Sequence, residues 1–163
     1  MLNTQLKPRT WNESASTSVD KIWEQIPGLN ADIQIIRTSF EFLSTSYFDD
    51  DATKNKENVI ELWITLGAYA IAWGKIQSID ISKTKLLETL VRKQRDYGHY
   101  NIAKYGRKGI IIRVHDKIAR LENLTGQQLE AANEPIEDTI LDIAGYSAIG
   151  IMWETGTFLL PLE

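Results

Sequence analysis

Residues 62–73 read LWITLGAYAIAW, the longest apolar run in the chain. The run is short of the roughly 20 residues that a membrane-crossing helix needs. Extended outward to Asn58 and Ile76, the segment is apolar nearly all round a helical period. That pattern predicts a helix buried on every side at the centre of the fold. The Val/Ile/Thr alternation of strands is nearly absent elsewhere. The expected fold class is therefore all-α, a single-domain helical bundle of about six helices spanning residues 1–163.

Outward from that centre the punctuation is clear. Ser18 is placed to cap a short helix, VDKIWEQI, that Pro27-Gly28 stops. A second helix is expected over Ala31–Phe48, followed by a solvated loop, DDDATKNKEN. Ser82 caps KTKLLETLVRKQRDY, and Gly98 ends it. Residues 99–107 read as a loop, Lys108–Asn123 as a fifth helix, and Gly126–Asn133 as a polar connection. Pro135 suits the first turn of a last helix that runs to Glu154. The tail GTFLLPLE is apolar and is expected to pack back on the bundle or on a partner subunit. The domain thus divides into a polar arm (1–17), N-terminal helices (18–80) and a second set of helices (82–160).

Composition is ordinary for a globular protein, with 43% hydrophobic and 25% charged residues. There is no cysteine, which excludes disulfides and thiolate metal sites. The first residues carry no apolar run of the secretory kind, so a cytoplasmic location with no membrane association is the expectation. Charge is distributed unevenly. Residues 83–124 hold eleven Lys/Arg against four Asp/Glu, while the rest holds seven against eighteen, within a net charge of −4. A basic segment in an acidic chain suits an anionic small molecule better than nonspecific nucleic-acid binding.

Two helices carry charges that bear on such a ligand. On the fifth, Ile111, Val114, Ile118 and Leu121 form a core stripe, and Arg113, Asp116, Lys117 and Arg120 run beside it. On the last, Ile136, Ile140, Ile143, Ser147 and Ile151 form the core stripe, with Asp138 and Asp142 opposite. That opposite row continues as Gly145, Ile149 and Met152, so the helix reads as buried on both sides. Carboxylates there need a cation or Lys/Arg partners to offset the cost of burial. Either a salt-bridge network or a Mg²⁺–phosphate site satisfies this, with Arg113, Lys117 and Arg120 neutralising phosphates.

The motifs KQRDYG, GIIIRVHDKIARLENL and EPIEDTILDIAGYSAIGIM together resemble the phage nucleotide-modification-associated domain of type one. Such proteins are grouped with MazG-like nucleotide pyrophosphohydrolases. The resemblance covers about residues 88–160 and rests on Lys93, Asp96, Tyr97 and Gly98, on Arg113, Asp116, Lys117, Arg120 and Leu121, and on Asp138, Thr139 and Asp142. It implies a MazG-like all-α fold, a homo-oligomer, and a cytoplasmic setting in a phage-infected bacterium. It also implies Mg²⁺-dependent hydrolysis, with Mn²⁺ as the substitute metal, of a normal or modified nucleoside triphosphate to monophosphate and pyrophosphate. On that reading Asp116, Glu137, Asp138 and Asp142 supply the metal ligands, and His115 or a carboxylate activates water. Arg113, Lys117, Arg120 and Lys93 hold phosphates, Asp96 belongs to the same motif, Tyr97 or Tyr100 stacks on the base, and Asn101 reads its edge. Thr139 stands where the wider MazG-like pattern has a glutamate.

Two other readings compete. His99, His115-Asp116 and Asp142 can be written as the ligand order of an HD phosphohydrolase. A binding module that holds a modified nucleotide, or a partner protein, without turnover fits the missing glutamate. Gly106–Gly109, GRKG, is a weak candidate for a phosphate at a helix start. No Gly-rich phosphate loop, activated Ser or Cys, or aromatic-basic strand pattern for nucleic acid is present.

Overall fold

The computed structural model describes residues 6–49, 51, 55–126 and 133–163. These form seven helices and no strand: α1 (Trp11–Glu24), α2 (Ile33–Tyr47), α3 (Lys56–Ile76), α4 (Lys83–Tyr97), α5 (Tyr100–Ala103), α6 (Gly106–Gly126) and α7 (Asn133–Glu154). The chain is an all-α bundle, as its periodicity predicts. The connection at 127–132 lies outside the described residues.

Helix α3 is the core helix that its apolar circumference demands. Val59, Trp63, Leu66, Ala68, Ala70 and Ile71 are buried, and α1, α2 and α7 pack around it. At 21 residues it is the one described helix long and apolar enough to cross a membrane by length and composition, a test that core helices also pass. Helix α7 is its main partner. Gly150 makes this contact possible: a Cβ there would sit 2.4 Å from the Trp63 ring. Glycine lets the two axes approach where any side chain forces the indole away.

Caps set the boundaries. The Ser82 side chain accepts from Lys85 N, and Gly98 closes α4 at φ 68°, both as the sequence reading has it. Asp32 caps α2 and Asn55 caps α3 in the same way. The N-terminus departs from expectation. Helix α1 starts at Trp11, capped by Thr10, so residues 11–17 of the expected polar arm are helical. Trp11, Ser14, Ala15 and Ser18 are buried, which identifies a core face of small residues that a hydrophobic-period reading passes over. The loop expected at 99–107 contains α5 and the start of α6.

The tail packs on the bundle. Phe158 is buried against Trp11, edge to face at 6.3 Å. Trp11 N donates to Pro161 O at 2.8 Å, and Thr10 Oγ1 donates to Glu163 Oε1 at 2.8 Å. The two ends of the described chain are thus tied together, and Trp11 is held in the wall of the site below.

Candidate functional site

Helices α4, α6 and α7 enclose, with α1 and α5, a pocket of about 230 Å³. Its lining is partly apolar, including Leu86, Leu90, Ile102, Tyr146 and Ile149, and partly charged. Asp142 is the centre of the charged part. Lys93 Nζ on α4 lies 2.7 Å from Asp142 Oδ1, and Lys117 Nζ on α6 lies 3.1 Å from Asp142 Oδ2. The Asp142 side chain retains only 13% of its exposure, whereas Lys93 keeps 46%. Arg113, one turn before Lys117, also lines the pocket, and its Nη2 donates to Asn101 O at 3.3 Å. Three cations and one carboxylate therefore line the pocket, a local surplus of two positive charges.

Local structure explains why these groups meet. The apolar stripe of α6, Ile111, Val114, Ile118 and Leu121, is buried. That orientation leaves Arg113 and Lys117 on the edge nearest α4 and α7. Gly145 follows Asp142 by three residues and also lines the pocket. A Cβ at Gly145 would meet Leu90 Cδ2 at 3.4 Å, ordinary contact, so the glycine leaves room in the pocket rather than preventing a clash.

The other residues expected at a site are placed as follows. Tyr97 and Asn101 line the pocket. Tyr100 is 74% exposed and does not. Asp96, Asp116, Arg120 and Asp138 are exposed and stand outside it. Two carboxylates were expected toward a semi-buried wall of α7; only Asp142 is so placed, because the burial of both faces begins beyond Asp138. Glu137 is engaged by Lys85, whose pKa is raised chiefly by that hydrogen bond. His115 lies across α6, its Nδ1 3.3 Å from Arg37 Nη1 and its ring against Phe40. His99 Nδ1 is 2.6 Å from Gln94 Nε2, and its ring packs on Phe158.

The implied Mg²⁺ does not find its ligand set. Among the described residues no group of three or more His, Asp or Glu side chains is gathered to hold a metal. Of Asp116, Glu137, Asp138 and Asp142, only Asp142 lines the pocket, and both its oxygens are held by lysines. The histidine and aspartates of the HD ordering are likewise not gathered. Gly106–Gly109 serves a structural end: buried Arg107 forms a two-pronged ion pair with Glu154, at 2.5 and 2.9 Å, and donates to Asp49 O.

Several pocket residues escaped the sequence reading, Gln94, Tyr146 and Trp11 among them. Gln94 is buried in a helix that otherwise shows polar residues to solvent. Tyr146 sits on α7 between the core stripe and Asp142. Trp11 comes from α1, far away in sequence, and nothing local marks it. Trp11 Nε1 and Asn101 Oδ1 are buried with no hydrogen-bond partner among the described residues. Leaving such an atom unpaired costs about 1–3 kcal/mol.

No family model, no curated protein and no solved structure matches this chain.

Proposed function

We propose that the protein binds a nucleotide, taking its phosphates between Lys93, Lys117 and Arg113 in the α4–α6–α7 pocket. The carrying observation is the surplus of cations around Asp142 in a pocket whose lining is otherwise partly apolar. Phosphate oxygens compete with one carboxylate for two ammonium groups, and a planar guanidinium offers two parallel donors. The apolar lining supplies the contact that a bare anion would not use. The ordered motifs that resemble the nucleotide-modification-associated domain support the same ligand class, since Lys93, Arg113, Lys117 and Asp142 belong to them. This is the binding half of the pyrophosphohydrolase expectation; the described acids do not assemble a cage for the metal half.

The test is a calorimetric titration of the chain with the common and base-modified deoxynucleoside triphosphates, with and without Mg²⁺, beside K93A and K117A. Micromolar binding, weakened at least tenfold in both variants, is expected. Absence of binding by every triphosphate under both conditions overturns the proposal. Pyrophosphate release is followed in the same samples. Release that requires Mg²⁺ and vanishes in D142N assigns turnover in addition to binding.

A further inference from the structure

Two rows of α4 line the pocket. Thr89, Lys93 and Tyr97 form one, at i, i+4 and i+8, and it carries the Lys93 ammonium. Leu86, Leu90 and Gln94 form the other, about 100° round the axis, and all three are buried. A glutamine therefore continues a row of leucines. A carboxamide so placed needs partners for both its carbonyl and its NH2. One is supplied inside the chain, where Gln94 Nε2 lies 2.6 Å from His99 Nδ1. An NH2 group can only donate, so Nδ1 is the lone-pair nitrogen of His99 and the ring proton sits on its Nε2. The ring is held in place by Phe158, a buried residue of the tail, edge to face at 5.7 Å. Gln94 Oε1 makes no hydrogen bond with any described residue. Nor is it one of their sealed atoms without a partner, which are Trp11 Nε1, Ser39 Oγ, Trp63 Nε1 and Asn101 Oδ1. The carbonyl is thus accessible, and the opening that Gln94 lines is this pocket.

We infer that Gln94 selects the base of the nucleotide, its carbonyl accepting from an exocyclic amino group, and that His99 is the positioning residue that turns this carbonyl to the pocket. The inference deepens the phosphate reading above and rests on it. The row to which Gln94 belongs is otherwise apolar, which suits a flat heterocycle better than a hydroxylated sugar or a second phosphate. A base that presents an amino group donates to Oε1. A base that presents a carbonyl in the same place sets two acceptors against each other and leaves both unpaired. The other arrangement of the pair has the amide turned over, with Nδ1–H of His99 donating to Oε1. The pocket is then offered NH2, and the preference reverses. The tautomer of His99 and the choice of base are therefore linked.

The experiment titrates the chain with two matched pairs of deoxynucleoside 5′-monophosphates, dCMP against dUMP and dAMP against dIMP, in which a carbonyl replaces the amino group. Pyrophosphate is the base-free control. In at least one pair the amino member is expected to bind about fivefold more tightly, the worth of one neutral hydrogen bond. Q94M, close in size and without the carboxamide, and H99L, which frees the amide to turn, are expected to bring the two members within about twofold of each other. Pyrophosphate affinity is expected to stay the same in both variants. ¹⁵N NMR of the unaltered chain is expected to show the His99 proton on Nε2 and a bare Nδ1. A proton on Nδ1, or tighter binding of the carbonyl member in both pairs, overturns the orientation. An amino preference that survives in H99L overturns the role of His99. Equal binding within both pairs, or an amino preference that survives in Q94M, overturns selection by Gln94; pyrophosphate binding that K93A still weakens then leaves the phosphate site standing. No binding of pyrophosphate or of any nucleotide removes both readings together. Should a variant fail to fold, the pair ratios and the tautomer in the unaltered chain decide.

Discussion

Helix α7 carries two ion clusters, twelve residues apart, that look alike in sequence and differ in kind. At its C-terminal end Glu154 meets Arg107, both side chains only 2% exposed, with the guanidinium also donating to Asp49 O. Nearer its start Asp142 meets Lys93 and Lys117, with Arg113 beside them, in a pocket open at one side. The first cluster is closed to solvent, and its product is cohesion between α6 and α7. The second is overcharged and half open, so it retains capacity for an incoming anion. Access to solvent, more than the presence of ion pairs, separates a structural cluster from a binding one. A buried pair is by itself weak support for stability, because desolvation consumes much of the attraction.

The strongest way to break the comparison is to disturb the closed cluster. R107M leaves Glu154 buried without a partner, and is expected to cost about 3–5 kcal/mol. For a domain of this size that lowers the melting temperature by roughly 10 °C. Thermal unfolding followed by circular dichroism checks it, and R107M/E154L, which removes both charges, is expected to recover most of the loss. Recovery identifies the unpaired charge as the cause, whereas an unrecovered loss assigns it to packing of the guanidinium.

The overcharged cluster is expected to respond in ligand binding and hardly in stability. D142N removes the internal competitor for Lys93 and Lys117. Pyrophosphate is then expected to bind about threefold to tenfold more tightly, while the melting temperature stays within about 2 °C because the lysines are partly solvated. Weaker pyrophosphate binding in D142N would mean that Asp142 orients the lysines and does not merely compete with the anion. Raising salt from 50 to 500 mM is expected to weaken pyrophosphate binding several-fold at this half-open site, and to leave the Arg107–Glu154 contribution to stability unchanged.

A third cluster gives the smallest effect and serves as a surface control. Arg37 on α2 pairs with Glu122 on α6 and with Glu41 on its own helix. The hydrogen bond from Arg37 holds the Glu122 carboxyl below its ordinary range and raises the guanidinium further above its own. The stabilisation from Glu122 is therefore complete above the ordinary glutamate pKa, and fades as pH falls through the lower native value. Urea midpoints measured from pH 7 to pH 3 are expected to fall less steeply for E122Q than for the unaltered chain. Because both partners are partly exposed, the difference is expected to be slight.

Much of this molecule is legible in its sequence, because helical periodicity and capping are local. The 62–73 run identifies the central helix, Ser82 and Gly98 bound α4, and the stripes of α6 and α7 name their buried faces. Lys93, Arg113, Lys117 and Asp142 stand out by their chemistry alone. The polar start of α1 does not, since its buried face is built partly of Ser14, Ala15 and Ser18, small residues with a weak hydrophobic signature.

What remained for tertiary structure is the azimuth of each helix against its neighbours. Residues Arg113, Asp116, Lys117 and Arg120 read as one row, yet positions 116 and 117 are separated by about 100° around the axis. Only the Arg113–Lys117 edge turns toward α4 and α7, so Asp116 and Arg120 face solvent. On α7, Asp138 and Asp142 share a face, but Asp138 lies one turn nearer the helix start, before the covered stretch begins, which disperses the four acids expected at a metal. Trp11 reaches the pocket only because the C-terminal tail ties α1 in place. Sequence by itself determined which side chains each helix offers on each face, since the helical period is a local property. Which faces meet, and whether charges there balance or remain in surplus, was decided by packing among helices distant along the chain.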